Sequence, residues 1–148
     1  MTKLVIGRFP LPPSDNRLYR NVMGIGRVKT KEYKAYAKAV EEWALINARA
    51  LSPIRRLAAD AKLVYLEVLF LIHHPRLFTQ ALRPKRLDTT NRLKALCDML
   101  AKILEVDDSK FWTVWCSKLP VEGVEDEGVA IRLSEAQSDG RAGFPNSA

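Results

Sequence analysis

The amino-acid sequence predicts one α+β domain, a single mixed α/β unit with a small, mostly antiparallel sheet and two long helices. Three observations lead there. Residues 62–72 carry Val64, Leu66, Val68, Phe70 and Ile72 at alternate positions with Glu67 between them, the period-2 pattern of a strand. Two further stretches, opening at Thr30 and at Asn91, repeat apolar side chains every three or four residues, the helical period. The chain has 148 residues, 47% of them hydrophobic, which is enough for one core.

The elements follow in order. LVIGRF at 4–9 reads as a strand that ends in FPLPPSDNR, where Pro10, Pro12 and Pro13 preclude regular pairing and leave a rigid, extended loop. Gly24-Ile25-Gly26 reads as a flexible point; it lacks the preceding strand and the following Lys-Ser/Thr of a phosphate-binding loop. Thr30 is suited to cap a helix in which Tyr33, Tyr36, Ala37, Val40 and Ala44 share a face, until Ser52-Pro53 stops the pattern. The run at 62–72 is too apolar for an edge and is expected at the sheet centre. His73 and His74 close that strand before Pro75. As adjacent strand residues they face opposite ways, so the only two histidines do not form a metal pair.

From Asn91, the residues Leu93, Leu96, Cys97, Leu100, Ile103 and Leu104 form one apolar stripe that needs a sheet to lie on, while Asn91, Lys94 and Asp98 share the polar face. Strands at 112–119 and 129–133, joined by the acidic turn VEGVEDEG, read as a hairpin. The domain is expected to span 1–134, and the polar, aperiodic tail at 135–148 is expected to be disordered.

Charge is regional. The net charge is +7 and the pI about 9.6. Residues 1–34 hold eight Lys and Arg against Asp15 and Glu32, residues 73–94 hold six against Asp88, and residues 121–148 are acidic. Clustered cations release counterions when they neutralise phosphates, so an anionic partner is expected, with a merely solvated basic surface as the plain alternative. Cys97 and Cys116 lie in apolar segments, which suits buried thiols in a reducing compartment. The apolar run at 61–72 is too short for a bilayer and is interrupted by Glu67, and the N-terminus lacks the apolar run of a secretory signal. A soluble intracellular protein, with no membrane partner, is expected.

With no cluster of His and Cys available, the chemistry must come from oxygen. Asp88, Asp107 and Asp108 are carboxylates that suit Mg²⁺, with Mn²⁺ as a substitute, and Lys94 places a cation nearby. Carboxylate-held metal beside basic residues is the equipment of phosphodiester hydrolysis. Each residue alone also has an ordinary role: Asp88 as a helix cap, Asp107-Asp108 as a turn, Lys94 as a solvated helix residue.

FPLPPSDNRLYR, LDTTNRLKALCDML and LEVDDSKFWTVWCSKLPV together resemble the RusA family of Holliday junction resolvases, in order and in the spacing between blocks. The resemblance covers residues 9 to about 133. It implies a homodimeric, Mg²⁺-dependent endonuclease of DNA recombination and repair, cytoplasmic and bacterial or phage encoded, that nicks opposite strands of a four-way junction. Carried over by position, Asp88, Lys94 and Asp108 match the catalytic positions, with Asp107 as a further metal ligand and Asn91 as support. Thr90 stands where the best-known members carry another aspartate, and its neutral hydroxyl is a weaker ligand. Arg17, Arg20, Arg27, Lys29, Arg76, Arg83, Lys85, Arg86, Arg92 and Lys118 are expected to follow the DNA backbone.

A helix over 91–104 spans about 21 Å, and the three residue steps after it recover roughly 10 Å at most. Asp88 and Asp108 can therefore hardly meet on one ion within a chain, and two chains related by a two-fold axis are expected to share each active site. The alternative, kept open by Thr90, is a non-catalytic DNA-binding protein with a degenerate nuclease site.

Overall fold

A computed structural model describes residues 3–13, 18–85 and 89–136, the last segment with side chains from residue 92 onward. In order the chain forms β1 (Leu4–Phe9), β2 (Tyr19–Val22), β3 (Gly26–Lys29), α1 (Lys31–Ile46), α2 (Ala48–Asp60), β4 (Val64–His73), the single turn α3 (His74–Leu77), α4 (Thr89–Leu104), β5 (Phe111–Val121) and β6 (Gly128–Glu135). Short 3-10 turns sit at 108–110 and 124–126. The expected tail lies almost wholly outside the described residues, and no helix among those described is long and apolar enough to cross a membrane.

β4 is central, as its composition requires. The main sheet runs β1-β6-β4-β5, with β6 antiparallel to both β1 and β4 and β5 parallel to β4. Val64, Leu66, Val68, Phe70 and Ile72 are buried on one face, beneath Tyr33, Tyr36 and Val40 of α1, Leu51 and Ile54 of α2, and Leu96 and Leu100 of α4. The other face carries the Glu67–Arg132 ion pair, at 3.0 Å, between neighbouring strands.

The hairpin expected between β5 and β6 does not form, because β4 lies between them. A strand buried on one side and half-covered on the other gains most from a partner along each edge, and that outweighs the short connection between β5 and β6. β5 is consequently an edge strand, which accommodates Pro120 and leaves Cys116 exposed rather than buried.

The helices also depart from expectation at one point. Thr30 caps α1 by accepting from the Tyr33 amide at 3.3 Å, and Tyr33, Tyr36, Val40 and Ala44 are buried. The helix ends earlier than Pro53, at Asn47, whose Nδ2 donates to the Trp43 carbonyl at 2.8 Å. Pro53 then lies inside α2, where Leu51, Ile54 and Ala58 bury one face strongly enough to outweigh the lost amide bond.

α4 closes with two reverse bonds, from the Glu105 amide to the Lys102 carbonyl at 3.2 Å and from the Val106 amide to the Ala101 carbonyl at 3.1 Å. This Schellman closure sets Glu105 at φ 59, a left-handed conformation that usually falls to glycine. Arg55 adds a cap from α2, Nε donating to the Ile103 carbonyl at 2.8 Å. The chain is thereby turned back sharply, delivering Asp107 and Asp108 beside the helix they follow.

Candidate functional site

The polar face of α4 and the ribbon formed by β2 and β3 meet to build the site. Tyr19 to Val22 pair antiparallel with Gly26 to Lys29, forming a two-stranded hairpin. Gly24 and Gly26 take φ 79 and 92, values glycine reaches without strain, and the Ile25 amide donates to the Val22 carbonyl at 3.1 Å. The GIG segment is thus a preset turn rather than a flexible point.

At the base of this ribbon three cations stand over two tyrosines. The Tyr19 and Tyr33 ring centroids are 5.4 Å apart. The Arg27 guanidinium lies 4.3 Å from the Tyr19 centroid, Lys94 Nζ 5.4 Å from the same ring, and Lys29 Nζ 4.6 Å from the Tyr33 ring. Each cation gains from the negative face of a ring without being neutralised by it, so positive charge is held in place at the ribbon base.

Asp98 lies in the middle of this group. Burial lifts its carboxyl above the usual range; Lys94 and Lys29 pull the other way, and the nearby Asp108 pushes it up again. Asp98 also acts on the Tyr33 hydroxyl, which burial, Tyr19 and Asp98 all hold in its protonated form. Among the described residues neither buried tyrosine hydroxyl has a hydrogen bond of good geometry, although the two act on each other and Asp98 acts on both. Cys97, next in sequence, is pushed up to about 12, first by burial and then by Asp98 and Asp108, so it is no thiolate nucleophile. The sequence contained a signal for Asp98: it follows Lys94 by four residues and so shares its face.

Asp107 and Asp108 are both exposed and differ in use. Asp107 accepts from the Ser109 amide at 2.8 Å, capping the 3-10 turn, and its carboxyl is held below the usual range first by the Ser109 hydroxyl and then by that amide. Asp108 faces back toward α4, close enough to act on Asp98 and Cys97. Asp88, Arg17 and Arg86 lie outside the described residues, as do the side chains of Thr90 and Asn91. Among the described residues no three of His, Cys, Asp and Glu come together as a metal cage. The carboxylates present offer oxygen donors only, a set that fits a hard ion retaining several waters and completed by a further carboxylate.

The second basic stretch is disposed otherwise. Arg92, expected on the DNA surface, is 0% exposed and donates from Nη1 to the Pro12 carbonyl at 3.1 Å, so it holds the proline loop against α4. It precedes Leu96 by four residues and Met99 by seven, which places it on the apolar stripe and not the polar face. Arg76 donates to both carboxylate oxygens of Glu127 at 2.9 and 2.8 Å. Lys85 donates to the Pro75 carbonyl at 2.8 Å. Arg83 and Lys118 are exposed, the latter on β5.

No curated protein matches the chain. Residues 10–134 match the family described as Endodeoxyribonuclease RusA, a span that begins in the proline loop, takes in the hairpin, α4 and the Asp107-Asp108 turn, and ends within β6. The chain therefore belongs to the RusA family of endodeoxyribonucleases.

Proposed function

We propose that this protein is a divalent-metal-dependent, structure-specific endonuclease that resolves four-way DNA junctions by nicking opposite strands, working as a homodimer. The observation that carries the reading is the meeting of Asp98 and Asp108 with Lys94, Lys29 and Arg27 on one face, in a chain of this family.

In this reading Asp88 and Asp108 would hold the ion, with Asp107 contributing the oxygen that Ser109 leaves unused, and Mg²⁺ or Mn²⁺ bound there would supply the Lewis-acid chemistry that phosphodiester hydrolysis needs. Lys94 steadies the scissile phosphate, kept in place by the Tyr19 ring. Asp98 orients Lys94 and Lys29 toward that phosphate. Thr90 supplies a neutral oxygen where a carboxylate would bind metal more firmly, and Asn91 supports it. Arg20, Arg27, Lys29, Arg83 and Lys118, with Arg17 and Arg86, hold the DNA backbone.

Length supports the dimer. α4 runs sixteen residues, and Asp108 acts on Asp98, six residues before the helix end. From Asp98 to the start of the helix at Thr89 remain nine residues, about 14 Å at the helical rise. An Asp88 at that end is best joined to an Asp108 from a second chain. The non-catalytic alternative rests on Thr90, a neutral residue where a carboxylate would bind metal more firmly.

A synthetic four-way junction with protein and Mg²⁺, read separately for nicks and for gel retardation, tests both readings. Asp88→Asn and Asp108→Asn should each abolish nicking while leaving retardation intact, because phosphate contacts supply most of the affinity. Equal loss of both would contradict the assigned roles. Mixing the two inactive variants, with subunit exchange verified, should restore single nicks if sites are shared between chains; a silent mixture would place each site within one chain.

A further inference from the structure

At the far end of the ribbon from the site, Met23 is 100% exposed and Ile25 74% exposed. Two large apolar side chains standing in water at the tip of a hairpin gain nothing for the fold. Their backbone is nonetheless fixed, by the Val22–Ile25 turn bond and by Gly24 and Gly26 at positive φ. Such a preset tip is suited to enter something.

The surrounding charge decides what. Residues 18–31 contain no acid, while Arg20, Arg27, Lys29 and Lys31 are all exposed. A second copy of this ribbon would bring cations against cations, whereas a polyanion with an apolar interior matches both the ribbon and its tip. DNA is that polymer, its phosphates outside and its base stack within. A continuous duplex keeps the stack closed; a branch point interrupts it and offers open stack ends to an apolar side chain.

Geometry ties the tip to the site. The ribbon base is anchored where Lys94 and Arg27 lie over Tyr19, and three strand steps from Tyr19 to Val22 carry the tip about 10 Å outward. That is roughly three base-pair steps at 3.4 Å each. We infer that the β2–β3 tip is a branch-point wedge: Met23 and Ile25 enter the base stack at the junction centre while Arg20, Arg27 and Lys29 grip the flanking phosphates. The inference rests on the junction-binding reading above and adds to it the element that distinguishes a branch from plain duplex.

The test uses the full chain, without divalent metal so that no strand is cut, and a four-way junction carrying 2-aminopurine either beside the branch point or ten base pairs away. Emission from the branch label should rise severalfold on binding, and the distant label should not respond. Met23→Ser with Ile25→Ser, two exposed positions whose change leaves the turn bond and both glycines in place, should abolish the rise while retardation at low salt stays within about threefold of the parent. Arg20→Ala with Arg27→Ala should instead weaken retardation and keep the rise at saturating protein.

A parent protein that retards the junction with no rise at the branch overturns the wedge and leaves the resolvase reading standing. A serine variant with the full rise overturns the wedge as well. Loss of dimer in the serine variant, seen by sedimentation, would assign the tip to chain-to-chain contact and overturn it. Failure of the parent to retard the junction at all would overturn the underlying reading together with the wedge.

Discussion

In the β2–β3 hairpin, Arg20, Arg27 and Lys29 stand exposed, two of them over tyrosine rings. Between residues 76 and 92 the chain carries similar positive charge, yet Arg76 is held by Glu127, Lys85 by a carbonyl, and Arg92 is fully buried. In sequence the two stretches look equivalent as contacts for a polyanion. Among the described residues the first presents its charge as a unit, whereas the second spends Arg76, Lys85 and Arg92 joining β4, α3 and α4 to their neighbours. Charge density along a chain is therefore a poor measure of charge density on a surface, because an arginine stem and guanidinium can serve packing as readily as recognition.

Mutation separates the two roles. The largest effect is expected at Arg92: Arg92→Ala removes a fully buried side chain and strands the Pro12 carbonyl, which should cost roughly 3 kcal/mol of folding stability. Denaturant unfolding measures it, and an unchanged midpoint accompanied by weaker DNA binding would return Arg92 to the DNA surface. Next comes the hairpin. Arg20→Ala with Arg27→Ala should shift stability by no more than about 0.5 kcal/mol, yet flatten the slope of log affinity against log salt by about 1 per lost phosphate contact. Arg76→Ala should leave that slope nearly unchanged. Equal flattening from the two would erase the distinction between the stretches.

Asp98 sharpens the comparison from within the site. Its carboxyl lies above the usual range because burial opposes ionisation, so the folded state binds this proton more tightly than the unfolded chain does. By linkage stability falls as pH rises through the interval from the ordinary aspartate value, about 3.9, up to the raised folded one, and the penalty persists at neutral pH. Asp98→Asn should accordingly stabilise the protein at pH 7, with the gain vanishing below that interval, while cleavage drops. Thermal unfolding at several pH values reads the first effect; a variant less stable at pH 7 would show that the charged form is favoured by its lysines after all.

The smallest effect belongs outside both stretches. Glu105→Gly relieves a left-handed residue at the end of α4 and should add roughly 0.5 kcal/mol, the steric relief being partly offset by greater freedom in the unfolded chain. A destabilised variant would mean that the Glu105 side chain contributes contacts that outweigh its backbone strain.

Much of this was legible in the chain. Period-2 alternation put β4 at the centre with its five buried residues correctly named, and the cap at Thr30 and the stripe of α4 were visible because hydrophobic period and capping act within a few residues. The Pro53 stop does not hold because burial of Leu51, Ile54 and Ala58, which a local rule does not weigh, outweighs it. The β5–β6 hairpin fails for a similar reason: adjacency in sequence favours pairing, but the choice of partner depends on what else competes for the edges of β4.

By itself, the sequence determined which segments could be helix or strand, which faces had to be buried, and, through three motif blocks, the nuclease family. Those properties depend on side-chain period and on residues fixed near one another along the chain. Only the tertiary structure decided that β5 runs parallel to β4, that Arg92 packs inward, and that Lys29, Tyr33, Lys94, Asp98 and Asp108 form one group although nearly eighty residues separate the first from the last. Burial and electrostatic coupling act through distance in space, and the fold alone sets that distance.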